Sequence, residues 1–291
     1  MRKLLLAAAA ATALAALSGN ALAAEKISVV AAENFYGDIA KEVGGSHVDV
    51  TSIISNPDDD PHLFEASPST ARALADAAIV VYNGADYDPW MGKLLSASPN
   101  PERADIVAAK LTGHKDGDNP HLWYDPATAP AVAAAIAAAL EKKDPEHAAD
   151  YAAGLARFDG SLTPVKAKIE EIKSRYKGVA VTATEPVFGY MAEALGFEMR
   201  NMAFQNAVMN DAEPTPSQVA AFENDLKSGA VKILFYNSQV TDSATERLLA
   251  IAKQGGVPVV GVTETAPAGK TFAAWMLGEL DAVEAALKHS S

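Results

Sequence analysis

The 291-residue chain reads as an α/β protein: two Rossmann-like lobes with mainly parallel sheets, joined by one long linking helix. Three observations predict this. Short β-branched runs alternate with amphipathic helical stretches in both halves, the pattern of parallel strands covered by helices. The halves share this plan without a fixed-period repeat. Between them, Tyr151, Leu155 and Phe158, then Val165, Ile169 and Ile172, recur at helical spacing.

The first segment belongs to neither lobe. Met1-Arg2-Lys3 is a short basic start, and an apolar stretch runs from Leu4 to Leu17. Ser18-Gly19-Asn20 break it, and Ala21-Leu22-Ala23-Ala24 supply small residues. That order is a secretory signal peptide, expected over residues 1–24. The apolar run falls short of the roughly 20 residues that span a bilayer.

Residues 25–144 are expected to form the N-terminal lobe. Its strands fall at 27–32, 48–54, 78–83 and 105–108, and its helices at 34–43, 68–77, 90–97 and 127–142. A polar loop covers 112–119. The linking helix occupies 145–177, and ~32 helical residues would span roughly 48 Å. Asp159-Gly160 and Pro164 predict a kink there. Residues 178–291 form the C-terminal lobe, with strands at 179–183, 198–203, 232–236 and 257–262. Its helices fall at 187–195, 216–227, 243–254 and 271–287, and Phe204-Gln205-Asn206-Ala207 reads as a polar loop. A single helix crossing between lobes is stiff, so the motion expected on ligand binding is small.

The chain has no cysteine. This excludes a disulfide framework, a thiolate metal site, a catalytic thiol and a lipid-acceptor cysteine after the signal. A freely soluble exported protein is useful in an enclosed space, so the periplasm of a double-membraned bacterium is expected. The formal net charge is −13. Loss of Arg2 and Lys3 with the signal removes two positive charges and takes it to −15. Such a surface repels nucleic acid and anionic lipid and attracts cations.

In doubly wound sheets, ligands bind beyond the carboxyl ends of the strands. After strand 48–54 comes Asp58-Asp59-Asp60-Pro61-His62. After 105–108 comes Asn119-Pro120-His121. Glu185 follows strand 179–183 and Glu264 follows 257–262. Singly, each has an ordinary structural reading: His62 as a loop residue beside a solvated acidic run, His121 as a packed loop histidine, and the two glutamates as helix N-terminal acids. Jointly, two imidazoles and two carboxylates at one crevice form a site for a divalent transition metal: Mn²⁺, Zn²⁺ or Fe²⁺. Asp86, Tyr87, Asp88 and Trp90 would line the rim. Asn237, in Tyr236-Asn237-Ser238-Gln239, is placed to hydrogen-bond a ligand residue. His114-Lys115-Asp116-Gly117-Asp118 is at most a weak auxiliary site. Glycine-rich phosphate loops, G-x-S-x-G elbows and H-E-x-x-H helices do not occur in the sequence.

These segments also resemble a family. Asp60-Pro61-His62 with Phe64-Glu65-Ala66-Ser67-Pro68-Ser69 looks like the first metal-histidine motif of the zinc and manganese substrate-binding proteins of ABC importers. Asn119-Pro120-His121-Leu122-Trp123 with Asp125-Pro126 looks like the second. Thr184-Glu185-Pro186 with Phe188, Tyr190 and Leu195-Gly196 is similar to the third-ligand segment, and Thr263-Glu264-Thr265 matches the fourth in place. The resemblance spans nearly the whole chain after the signal. It implies a buried site of His62, His121, Glu185 and Glu264, and a monomer that delivers one metal ion to an importer permease in the inner membrane. Glu185 stands where many zinc members have histidine, and Glu264 where aspartate is common. Two carboxylates make a harder site than three histidines and one carboxylate, leaning toward manganese, although zinc binds such sites at least as tightly. Two alternatives remain at this stage. One is an exported metallohydrolase using the same residues, which would need an open coordination position and a general base. The other is an adhesin or a receptor for a metal chelate.

Overall fold

The computed structural model describes residues 26–56, 61, 64–210, 212–240 and 243–289. The expected signal segment 1–24 and His62 lie outside the described residues. The first half runs β1 (Ile27–Glu33), α1 (Asn34–Gly44), β2 (Val48–Ile54), α2 (Pro68–Asp76), β3 (Ile79–Tyr82), α3 (Pro89–Ala97) and β4 (Ala104–Val107). Then come α4 (Ala108–Thr112), a 3₁₀ turn (Leu122–Tyr124), α5 (Thr128–Lys143) and a second such turn (Pro145–His147). Helices α6 (Ala148–Ser161) and α7 (Thr163–Tyr176) follow. The second half contains β5 (Ala180–Ala183), α8 (Gly189–Ala194), β6 (Glu198–Met199), α9 (Met202–Met209) and α10 (Pro216–Ser228). It ends with β7 (Leu234–Asn237), α11 (Ser243–Gln254), β8 (Val259–Val262) and α12 (Phe272–His289).

The strands form two four-stranded sheets, ordered β2-β1-β3-β4 and β6-β5-β7-β8. Every pairing is parallel. Parallel sheets need cover on both faces, and the alternation of side chains supplies it. On β1 and β3, Val29, Ala31, Ile79 and Val81 enter the large central core, while Val30, Ala32 and Val80 face a smaller cluster with Leu74 and Met91. The second sheet repeats the device. Val181, Ala183, Phe235 and Val262 join the central core, and Leu234 packs with Phe222, Leu226 and Val257. Among the described residues, no helix is long and apolar enough to cross a membrane.

Three expectations need correction. The strand read over 198–203 is only Glu198–Met199, because Asn201 takes a left-handed backbone (φ 60) that ends it and opens α9. The stretch 204–207 read as a loop lies inside α9. The expected single linking helix is two helices, α6 and α7, meeting at Leu162, between Asp159-Gly160 and Pro164, the expected kink positions. Pro164 lacks the N–H that would continue the first helix through this point.

Helix α12 packs back across the molecule. Trp275 lies 5.8 Å from the Phe35 ring of α1 and 5.7 Å from Tyr124, while Tyr124 lies 5.0 Å from Phe188. Charged contacts close the other flank. Lys168 of α7 lies 3.1 Å from both Glu284 and Asp281, and Arg175 lies 2.7 Å from Glu284. Hydrogen bonds from Lys288 and Lys168 hold Glu284 down to about 2.

Glu279 is the costly member of α12. It accepts hydrogen bonds from Trp275 Nε1 at 3.0 Å and, weakly, from the Tyr124 hydroxyl at 3.5 Å. Burial nevertheless pushes it up from 4.5 to about 7. A carboxyl raised in the folded state binds its proton more tightly there than in the unfolded chain, so stability falls as pH rises from about 4.5 to 7. Glu279→Gln keeps an acceptor oxygen and cannot ionise. It is expected to raise stability above pH 7 by up to about 3 kcal/mol, with the gain shrinking to nothing below pH 4.5. Thermal melts of both proteins at pH 4 and pH 8 check this. Equal gains at both pH values would contradict it.

Candidate metal centre

The N-terminal half contributes His121, from the loop between α4 and α5. Leu122, Trp123 and Tyr124 immediately after it are buried and anchor the loop. Asn83, at the carboxyl end of β3, donates to Pro120 O at 2.8 Å and accepts from the Tyr36 hydroxyl at 2.7 Å. The backbone on either side of His121 is therefore pinned before any ligand arrives.

The ring is oriented by Asn119. Pro186 O can only accept, so the Asn119 atom 2.8 Å from it is the amide nitrogen. Asn119 Oδ1 must then be the acceptor facing His121 Nδ1 at 2.6 Å, and it also accepts from His121 N at 3.2 Å. In the neutral ring the proton sits on Nδ1, and Nε2 presents a lone pair. His121 is fully buried, and its Nε2 has no hydrogen-bond partner among the described residues. Glu264 Oε2 lies 3.7 Å away from it. A buried imidazole nitrogen left as a bare acceptor beside a carboxylate is costly unless something positive joins them.

The C-terminal half contributes the carboxylates. Glu185 follows β5 after Thr184, and Glu264 follows β8 after Thr263; both are buried. Asn237, the last residue of β7, sits between them. Its amide nitrogen donates to Glu264 Oε1 at 2.5 Å and reaches Glu185 Oε2 at 3.4 Å. Its own oxygen accepts from Gln239 N at 3.1 Å. Gln239 Oε1 in turn accepts from the backbone N–H groups of Glu264 and Thr265. The ends of β5, β7 and β8 thus present two carboxylates held by one neutral amide. A divalent cation meets this donor set in both charge and atom type.

The fold therefore brings His121 and Glu264 into contact and links Glu185 to Glu264 through Asn237. His114 stays apart, 3.7 Å from Asp118 and 3.9 Å from Asp125, with the Tyr190 hydroxyl at 3.3 Å.

The floor of this region holds groups that sequence reasoning missed or left as rim. Glu33 ends β1 fully buried, and burial followed by the Asp88 charge pushes its carboxyl well above the usual range. Asp88 accepts from Asn83 N at 2.7 Å and Gly84 N at 2.8 Å, yet burial raises it to about 6. It closes a strained loop in which Gly84, Ala85 and Asp86 all have positive φ. Tyr87, read as rim, is buried. Its hydroxyl is pushed well above the ordinary tyrosine range by burial first, then by the Glu264 and Glu33 charges. The signal for Glu33 was available: a carboxylate directly after the apolar run Val29–Ala32 at the ligand end of a central strand.

Residues 29–286 match the family model described as ZnuA, zinc-uptake complex component A periplasmic. The chain belongs to this family, and so to the substrate-binding components of metal ABC transporters rather than to enzymes. The metal ABC transporter substrate-binding lipoprotein SloC of Streptococcus mutans is 25% identical, covering 92% of this chain and 92% of its own length. The manganese ABC transporter substrate-binding lipoprotein PsaA of Streptococcus mitis is 24% identical, covering 77% of this chain and 76% of its own. A Mn-bound periplasmic metal binding protein from Candidatus Liberibacter asiaticus, solved as a serine-to-alanine mutant, shares the fold. Its TM-score is 0.72 at 19% identity, over 90% of this chain and 100% of that one.

Proposed function

We propose that this chain captures one divalent transition metal ion between two lobes, residues 25–144 and 178–291, and hands it to the permease of an ABC importer. His62, His121, Glu185 and Glu264 are the proposed ligands. The observation that carries the reading is His121 Nε2, a buried lone pair aimed by Asn119 and facing Glu264, whose other oxygen is tied through Asn237 to Glu185. With two imidazoles and two carboxylates, the closed site would be electrically neutral around a divalent ion. Manganese suits so oxygen-rich a set, and zinc competes by intrinsic affinity.

The proposed working state is a monomer in the periplasm, delivered by the segment 1–24 and meeting its permease at the inner membrane. Three hydrogen-bonded contacts support a closed form held across the lobes. Asn34 and Ala266 exchange bonds at 2.8 and 2.9 Å, Asn119 donates to Pro186 O, and the Tyr124 hydroxyl donates to Thr263 O at 2.9 Å. Release would follow when the permease separates the lobes and breaks them. Because Asn119 both orients His121 and bridges to Pro186, opening would also disorder a ligand.

The test is metal titration of the stripped, tag-free protein together with metal analysis of protein recovered from periplasm under metal-limited growth. Tight binding of Mn²⁺ and Zn²⁺ at one shared site, competing one for one, is expected. A His62→Ala, His121→Ala double variant that bound both ions like the parent would end the assignment.

A further inference from the structure

A second constellation lies on the outer edge of the N-terminal half, where the α1–β2 turn meets the α5–α6 turn. His47 closes the 3₁₀ turn Gly45–His47, Asp144 ends α5, and His147 closes the turn Pro145–His147. One ligand atom from each of His47, Asp144 and His147 lies within 4.8 Å of the other two. The imidazoles stack at 4.1 Å with 30° between their planes. His147 Nδ1 is 2.6 Å from Asp144 Oδ2, and His47 Nε2 is 3.0 Å from Asp150 Oδ2. Each ring thus has one nitrogen facing a carboxylate at hydrogen-bond distance, and an ion taking His147 and Asp144 together would replace the proton they share, which leaves to solvent. The Tyr151 hydroxyl donates to Asp144 Oδ2 at 2.7 Å from a fully buried ring. That bond, before the histidines, holds the Asp144 carboxyl below its ordinary range. The three side chains are between 24 and 34% exposed, so an ion could enter and keep solvent ligands.

We propose that His47, Asp144 and His147 form a second, surface metal site, separate from the interlobe centre, for a borderline divalent ion such as Zn²⁺. Two imidazoles and one carboxylate around an open position are a zinc-type donor set, and they are softer than the carboxylate-rich centre between the lobes. A tetrahedral zinc ion holds neighbouring ligand atoms about 3.3 Å apart, so the side chains must draw together and the stacked imidazoles must turn until their in-plane lone pairs converge. Asp150, which shares a surface pocket with His47 and Arg157, is within reach as a fourth oxygen donor. An ion here would tie the entry of α6 to α1. These helices already approach so closely that a Cβ on Gly154 would stand 2.1 Å from Val43 O. Occupation would thus pin the start of the helical segment between the sheets to the N-terminal half.

The experiment is calorimetric titration of stripped, tag-free protein with Zn²⁺ and, separately, with Mn²⁺. The parent is expected to take up two zinc ions of unequal affinity and one manganese ion. His47→Gln with His147→Gln should remove one zinc equivalent and leave manganese uptake unchanged. Tyr151→Phe should weaken that same equivalent by about tenfold. Matched melts of the stripped proteins confirm that the variants fold. Uptake of a single zinc that persists in the double histidine variant, or of two zinc ions by both proteins, would overturn the proposal. A single zinc lost in that variant would support the surface site and count instead against the interlobe centre.

Discussion

His121→Ala is expected to lower Mn²⁺ and Zn²⁺ affinity by about a hundredfold or more. Structural zinc sites are worth roughly 10–16 kcal/mol shared among four ligands, so loss of one ligand removes about 3 kcal/mol. The site cannot readily replace it, because His121 is fully buried on a loop pinned through Asn83. Asn119→Leu leaves the imidazole in place but removes both its orienting acceptor and the bond to Pro186 O. Loss of such a supporting partner costs about ten- to a hundredfold. Asn119→Asp separates the two roles: it keeps an acceptor for His121 Nδ1 and lacks the donor to Pro186 O. Affinity near the parent's for Asn119→Asp, with a large loss for Asn119→Leu, would assign the effect to ring orientation. Titration of stripped proteins reads all three. Parent-like affinity in His121→Ala would remove His121 from the ligand set.

The legible and illegible parts of this chain differ in range. Most strands could be placed because apolar, β-branched runs buried on both faces leave few other readings, as at Val29–Ala32 and Ile79–Val81. Where a strand ended on backbone geometry, the pattern misled. Glu198–Met199 stops because Asn201 turns left-handed, and hydropathy carries no trace of that. The candidate centre was legible as residue types just beyond strands. His121 and Glu264 do meet at 3.7 Å, and Asn237 does bond a proposed ligand residue, Glu264; that it also reaches Glu185 depends on the convergence of β5, β7 and β8. The His47–His147 pair was invisible for a stronger reason. Its members come from distant turns, and only the close docking of α6 on α1 at Gly154 stacks them. Chemistry that follows a strand can be read locally, while chemistry between docked helices cannot.

Trp275→Ala is expected to cost about 3–5 kcal/mol, the range for removing a large buried aromatic side chain. Its ring is 1% exposed and sits where α12 meets the N-terminal half, against Phe35, Tyr124 and Phe272. None of these rings can collapse into the void without leaving its own helix or turn. The variant also strips Glu279 of its 3.0 Å indole donor, leaving a buried carboxyl that already resists ionisation. At roughly 2–4 °C per kcal/mol for a chain of this size, the melting temperature of the stripped protein should fall by about 6–20 °C. Trp275→Phe keeps most of the volume and loses only the indole hydrogen bond, so its cost should be nearer 1 kcal/mol. Helix α12 also borders the Thr263–Ala266 segment that carries Glu264, through Tyr124 and its bond to Thr263 O. Metal affinity in Trp275→Ala should therefore fall, but by less than in His121→Ala, because the donor atoms remain. A melting temperature within a degree or two of the parent would show that this aromatic junction does not hold the two halves together. The opposite effect of Glu279→Gln, one helical turn away, makes the pair informative. Packing at Trp275 and charge burial at Glu279 act on the same junction with opposite signs, and only the gain from Glu279→Gln should vanish at low pH.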